Sequence, residues 1–247
     1  MKIRNLEINN GIPAVCIPLT DTVQEEMVEH AVHVAQETDI IEWRIDLCTG
    51  LKDLGQALSD LRGAASDTPL LATLRTEMEG GGFRGSSSEY RDIIMQCASS
   101  SCVDLVDVEY RALPDLKAFL KAIKDNGVRS VVSHHDFSET PDEKEMYSIL
   151  EEMADTGADI VKLAVMPRTV HDVLSLLSVT YRFHALHPDK PLVTMSMGPL
   201  GVSSRVCGGT FGSCITFGCD GKASAPGQLD YRKLKEMIRI LDEAGKR

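Results

Sequence analysis

The sequence predicts an α/β protein: a single (β/α)8 barrel domain over residues 1–247, with a short leading strand or hairpin. Three observations predict it. Short apolar, β-branched runs alternate with longer amphipathic stretches about eight times. No linker or shift in composition divides them, and alternating βα units make a parallel sheet with right-handed crossovers. The 247 residues match the roughly 250 that such barrels use to close eight units round one core. An open doubly wound sheet is the alternative, but no G-x-G-x-x-G follows the first strand.

Residues 2–8 read as the leading strand and 12–19 as the first barrel strand. Asp21 is the expected cap of a helix over 22–37. A second strand at 40–47 is followed by a helix at 53–62, then a third strand at 70–75. Ser86 and Glu89 have capping-box spacing for a helix through 99. The fourth strand is 105–110, with a helix at 114–126 stopped by Gly127. The fifth strand is 128–135, and Thr140-Pro141 starts a helix to 156. Ile160–Val165, between Gly157-Ala158-Asp159 and Met166-Pro167, is the sixth strand, with a helix over 169–184. The seventh strand is 191–197, and the eighth, 214–217, is short. An amphipathic helix over 230–243 closes the chain. Gly80-Gly81-Gly82 and Gly208-Gly209 fall in loops and read as hinges or lids.

Composition narrows the function classes. With 43% hydrophobic and 26% charged residues, the chain can bury a full core. Its net charge is −11 with basic residues scattered, which argues against nucleic acid or an anionic membrane as partner. Met1-Lys2-Ile3-Arg4-Asn5 starts no apolar leader, and no apolar run is long enough to span a bilayer. Seven cysteines, an odd number without C-x-x-C, fit free thiols in a reducing cytoplasmic setting better than a disulfide or zinc framework. His30 and His33 share a helix face but have no third ligand nearby, so no metal is expected there.

The polar residues at strand ends carry the chemistry. Alternation sends Lys162 to the face opposite Val161, Leu163 and Val165. Lysine is rarely buried without a reason. On a central strand it is held out of water, which favours the neutral amine that attacks ketones to form a Schiff base; on an edge strand it reaches solvent. Glu42, Arg44 and Asp46 share one face, as an internal ion-pair ladder or a polar substrate cage. Thr73 and Arg75 share another, with Glu79 just beyond, and Asp107 and Glu109 pair on the fourth strand. Ser133 and His135 point one way and His134 the other. A histidine at the carboxyl end of a barrel strand stands where catalytic groups collect in this fold, although it also suits helix packing. Met195 and Met197 make a flexible apolar wall or plain core, and Arg205 is a fork of donors suited to a carboxylate or an ordinary surface arginine.

In a barrel these ends converge on one mouth. A nucleophilic lysine, a histidine proton carrier, a carboxylate to orient it and arginines for an anion fit an imine-forming lyase. The stretches Glu42-Trp43-Arg44-Ile45-Asp46, Arg75 with Glu79-Gly80-Gly81, His135-Asp136-Phe137, Lys162 through Pro167, Thr194-Met195-Ser196-Met197 and Ala223 through Gln228 together resemble the type I 3-dehydroquinate dehydratases of the shikimate pathway. The resemblance spans nearly the whole chain. It implies a homodimeric barrel with no metal or organic cofactor, converting 3-dehydroquinate to 3-dehydroshikimate by syn-elimination. It implies Lys162 as the Schiff-base lysine on the C3 ketone. His135 becomes the base at C2 and acid for the C1 hydroxyl, and Glu79 its orienting carboxylate. Arg205 becomes the substrate-carboxylate anchor, and Glu42, Arg44, Arg75, Ser224 and Gln228 the other substrate contacts. Residues 203–228 become a closing lid. The chain departs from better-known members at 206–210, 219–221 and His134, which is expected to point away from the site. A class I aldolase on a small anionic keto substrate shares the lysine logic, and a metal- or anion-binding barrel using His134, His135 and Asp136 is the non-enzymatic alternative.

Overall fold

In the computed structural model, which describes residues 1–246, the leading residues form an antiparallel hairpin, β1 (Lys2–Ile3) and β2 (Leu6–Glu7). The strands that follow are β3 (Ala14–Leu19), β4 (Ile40–Arg44), β5 (Leu70–Thr73), β6 (Leu105–Glu109), β7 (Arg129–Asp136), β8 (Ile160–Val165), β9 (Leu192–Ser196) and β10 (Ile215–Phe217). The helices are α1 (Gln24–Val34), α2 (Leu54–Ala65), α3 (Ser87–Ser99), α4 (Leu116–Asp125), α5 (Glu143–Asp155), α6 (Val170–Leu186), α7 (Val202–Cys207) and α8 (Tyr231–Gly245). The eight later strands pair in parallel, in the order β10-β3-β4-β5-β6-β7-β8-β9. The Cys214 amide donates to the Leu192 carbonyl at 2.7 Å and brings the last strand against β9, so the sheet curls into the expected barrel.

Alternation along the strands sorts the apolar side chains into two cores. Ile17, Trp43, Val106, Val132, Val161, Leu163 and Val165 pack outward against helix residues such as Met27, Leu58, Ile94, Phe119, Leu150 and Leu176. Cys16, Ile40, Leu71, Leu105, Val131 and Ile160 point into the lumen, where Ile3 and Ile8 of the hairpin join them. Arg4, in the hairpin turn, pairs with Asp104 just before β6 at 2.6 Å, which fixes this plug at the amino ends of the strands. The carboxyl ends are left for polar groups.

Local signals hold where a side chain closes its own turn. Ser86 and Glu89 form the capping box of α3, Asp53 accepts from the Gln56 amide at α2, and Thr169 caps α6. Asp21 does not cap α1: the cap position is Val23, and the Asp21 carboxylate meets His30 Nδ1 at 2.8 Å instead. The second strand stops at Arg44, where a 3-10 turn over Ile45–Leu47 begins. It stops there because Asp46 folds back onto Arg44 in a two-pronged contact of 2.9 and 2.7 Å. The third strand likewise ends at Thr73. In the loop after β9 the chain forms α7 and a 3-10 turn over Gly208–Phe211, which sequence reading left as loop. Among the described residues no helix is long and apolar enough to cross a membrane.

Candidate active site

β8 sets Lys162 in the lumen with 3% of its surface exposed. The amine is buried but not alone. Nζ stands 3.2 Å from Asp107 Oδ2 and 4.4 Å above the centre of the Phe217 ring, so burial comes with a counter-charge and an aromatic face. Asp107 also accepts from Ser133 Oγ at 2.6 Å and pairs with Arg75 Nη2 at 2.9 Å. Burial opposes ionisation of Asp107, but the charges of Arg75 and Lys162 hold its carboxyl well below the usual range. Arg75 reaches Glu109 at 3.1 Å and Glu79 at 3.4 Å. Burial works against the cation, yet these three carboxylates push its pKa up. Glu109 goes the other way: burial raises its carboxyl despite Arg75.

Glu79 reaches the site through a tight reversal. After β5 the chain makes a 3-10 turn over Glu77–Glu79 that ends at Gly80 with φ +80°. Gly81 then passes so close to Arg75 that a Cβ there would lie 2.1 Å from its carbonyl oxygen. These glycines are therefore demanded by packing and do not act as the free hinge expected from their sequence. The turn returns the Glu79 carboxylate to both histidines. Oε2 lies 2.9 Å from His135 Nδ1 and accepts from the His135 amide at 3.1 Å, while Oε1 lies 2.9 Å from His134 Nδ1. Burial raises the Glu79 carboxyl, but the hydrogen bonds of His134 and His135 and the Arg75 charge bring it down to about 2. An ionised carboxylate only accepts, so both Nδ1 atoms carry the proton. Burial, then the Arg75 charge, pushes His135 down to about 3 against the pull of Glu79. At neutral pH its ring is uncharged.

The cavity at the mouth is narrow, about 40 Å³, and its polar wall is Glu42, Arg44, Arg75, Glu79, His135 and Lys162. Ala164, Met195, Met197 and Phe217 supply the apolar wall, and Ser224, Ala225 and Gln228 cover it. Glu42 accepts from Thr73 at 2.8 Å. Gln228 and Ser224 are bonded to each other, with the Ser224 amide donating at 2.7 Å to Oε1. Gly227, φ +80°, lets this cover lie on Gly198, where a Cβ would meet the carbonyl at 2.4 Å. Arg205 is not in the wall. It lies behind Met195 and the 224–228 turn, 1% exposed, donating to the Pro226 carbonyl at 3.0 Å and to Met195 Sδ at 3.5 Å. Among the described residues it has no carboxylate partner and its Nε is unbonded, and burial lowers its pKa to about 10.

Eight of the nine site residues chosen from sequence thus line one cavity, and Arg205 stands just behind it. His134 faces the flank and stays out of the Lys162 cavity, as expected, but it shares Glu79 with His135. Asp136 leaves both rings and accepts from the Ser138 and Glu139 amides at 2.8 and 3.0 Å, so the proposed His134–His135–Asp136 metal set does not assemble. Among the described residues no group of three His, Cys, Asp or Glu is placed to hold a metal ion. Sequence reading also left Asp107, Glu109 and Phe217 out of the site. The alternation of Asp107 and Glu109 at a strand's carboxyl end was the available signal for two of them. Phe217 gave none, since its strand is only three residues long.

Residues 15–244 match the family model for type I 3-dehydroquinase. A 3-dehydroquinate dehydratase of Klebsiella pneumoniae is 39% identical, with 97% of each chain covered. The crystal structure of 3-dehydroquinate dehydratase from Geobacillus kaustophilus superposes with a TM-score of 0.94 at 32% identity, over 98% of this chain and 96% of that one. A type I 3-dehydroquinate dehydratase from Clostridium difficile, solved with covalent modified comenic acid, also gives 0.94, at 34% identity over 99% and 98% of the two chains.

Proposed function

Because this chain belongs to the type I 3-dehydroquinase family and is a hydro-lyase acting on 3-dehydroquinate, we propose that it works through an imine on Lys162, with His135 moving the protons. The observation that carries this reading is one juxtaposition. A buried primary amine and a neutral imidazole, its Nδ1 tied to Glu79, face the same narrow cavity.

The Lys162 ammonium gives a proton to His135 Nε2 and attacks the C3 ketone as the neutral amine; His135 returns that proton to the carbinol hydroxyl, which leaves as water, and an iminium forms. The iminium draws electrons from C2, and His135 Nε2 takes the C2 proton as the enamine forms. The enamine expels the C1 hydroxyl on the same face, and His135 returns its proton so that water departs. A second water hydrolyses the iminium, freeing the product ketone and Lys162. Glu79 holds the proton-bearing Nδ1 and offsets the imidazolium charge between the two transfers. No step requires a metal or organic cofactor.

Arg205 is the proposed carboxylate anchor. A buried guanidinium with an unbonded Nε is costly until an anion arrives, and Met195, which Arg205 touches, lines the cavity. Glu42, Arg44, Arg75, Ser224 and Gln228 are the proposed hydroxyl and ring contacts. Of the expected 203–228 lid only the 224–228 turn can lift for entry, since β10 within that segment is a barrel strand, and the covered cavity is too small for a carboxylated ring. The covalent modification named for the Clostridium difficile relative is in keeping with a nucleophile in such a pocket. A class I aldolase would use the same lysine, but the family's chemistry is loss of water. The resemblance also supports a homodimer, which sedimentation velocity tests.

Turnover in ¹⁸O-labelled water tests the imine. The product ketone is expected to carry solvent oxygen after every cycle. Product that keeps the substrate oxygen, after correction for spontaneous exchange, rules the route out.

A further inference from the structure

We infer that His134 is a positioning residue that acts through Glu79: by donating to one carboxylate oxygen it limits the charge left on the other, which holds His135. The inference rests on the reading above, in which His135 moves the protons.

The two carboxylate oxygens are unequally loaded. Oε2 takes the His135 amide, His135 Nδ1 and Arg75 Nη1 at 3.1, 2.9 and 3.4 Å. Oε1 has, among the described residues, His134 Nδ1 alone, at 2.9 Å. Neighbouring residues of one strand ordinarily point to opposite faces, and here the Glu79 turn reaches round the end of β7 to meet both rings. His134 is 8% exposed and lines a second cavity, of about 430 Å³, on the flank of the site. This space lies between the 76–87 loop and β6, and it shares Glu79 and His135 with the Lys162 cavity. With His134 shortened, Oε1 would open onto that space without a donor, while the His135 amide, His135 Nδ1 and Arg75 still hold Oε2.

The charge consequence has a definite sign. The His134 donor draws negative charge onto Oε1, which weakens Oε2 as an acceptor for His135. Without that donor Glu79 favours the imidazolium more strongly, so the neutral base form of His135 appears only at higher pH. The other ionisable groups facing the pair are Arg75 just past β5, Asp107 and Glu109 from β6, Lys162 from β8, and Asp136 beyond His135 on β7. Glu77, Arg84, Arg111 and Tyr90, whose hydroxyl accepts from the Glu109 amide, line the flank cavity. None of them donates to Oε1, so none replaces the lost bond.

The pH dependence of kcat/KM is the test, because its acid limb reports the free enzyme's base. His134→Ala is expected to move that limb up by about one unit, equivalent to a tenfold change in protonation equilibrium. His134→Asn can place an amide donor near Nδ1 and is expected to bring the limb back. If the alanine variant does not stay folded, His134→Phe refills the volume without a donor and carries the same expectation. An unmoved limb in a folded donorless variant, or no return with asparagine, overturns the inference. Borohydride trapping of 3-dehydroquinate on wild-type Lys162 keeps the two readings apart. Its loss defeats the imine route, whereas trapping with an unmoved limb defeats only the role of His134.

Discussion

Lys162 Nζ and Asp107 Oδ2 stand 3.2 Å apart on β8 and β6, reaching toward each other past the intervening β7. Asp107 is 1% exposed and serves two cations, Lys162 and Arg75. Breaking a buried pair leaves charge without compensation. Asp107→Asn is therefore expected to cost about 3–5 kcal/mol of stability, read as a lower urea midpoint at unchanged slope. A midpoint equal to the parent's would mean that Glu79 and Glu109 already suffice for Arg75.

His135→Ala separates bond formation from proton transfer. It keeps Lys162 and so is expected to trap substrate or product, while kcat falls about 10²–10⁴-fold, the usual size of a lost general acid–base. Steady-state rates beside single-turnover trapping check this. Near-normal turnover would remove His135 from its proposed role.

Arg205→Met tests a buried cation that has, among the described residues, no carboxylate partner. Loss of a desolvated anion anchor is expected to weaken substrate binding by about 2–5 kcal/mol, seen chiefly in KM. Stability is expected to hold or rise, because burial disfavours the lone guanidinium, whose pKa it lowers to about 10. A variant that loses stability but keeps its KM would make Arg205 a purely structural residue.

Acid stability follows from the same cluster. His135 falls from an ordinary 6.5 to about 3, and Glu79 from 4.5 to about 2. In both cases the unfolded chain binds the proton more readily. Each therefore contributes stability that is complete above its ordinary value and is lost as pH falls toward its folded value. From pH 6.5 to 4.5 only His135 of these two is changing, with a slope of up to about 1.4 kcal/mol per pH unit. Urea melts across that window should flatten in His135→Gln. An equal slope in the variant would assign the loss to another group.

The barrel was legible because its signals are local and repeated. Ile160–Val165 holds its bounds, and the Ser86–Glu89 box needs only its own turn. The misreadings occur where a distant partner decides. Asp21 gave up its cap for His30, and Asp46 ended its strand by folding onto Arg44 and accepting from the Gly82 and Arg75 amides. The site was legible where single residue types carry chemistry, as with Lys162, His135 and Glu79. It was not legible where a neighbour in space decides the role. Alternation put His134 on the opposite face from His135 but could not show that the Glu79 turn, closed by Gly80 and Gly81, reaches both faces at the end of β7. Asp107 looked like one more buried acid until Lys162 and Arg75 met on it.

Borohydride reduction of the working enzyme with 3-dehydroquinate, followed by peptide mass mapping, tests the central claim most directly. The expected result is the mass of a reduced ligand on the peptide carrying Lys162, absent from Lys162→Ala. An unmodified Lys162 peptide from enzyme that was turning over would contradict it.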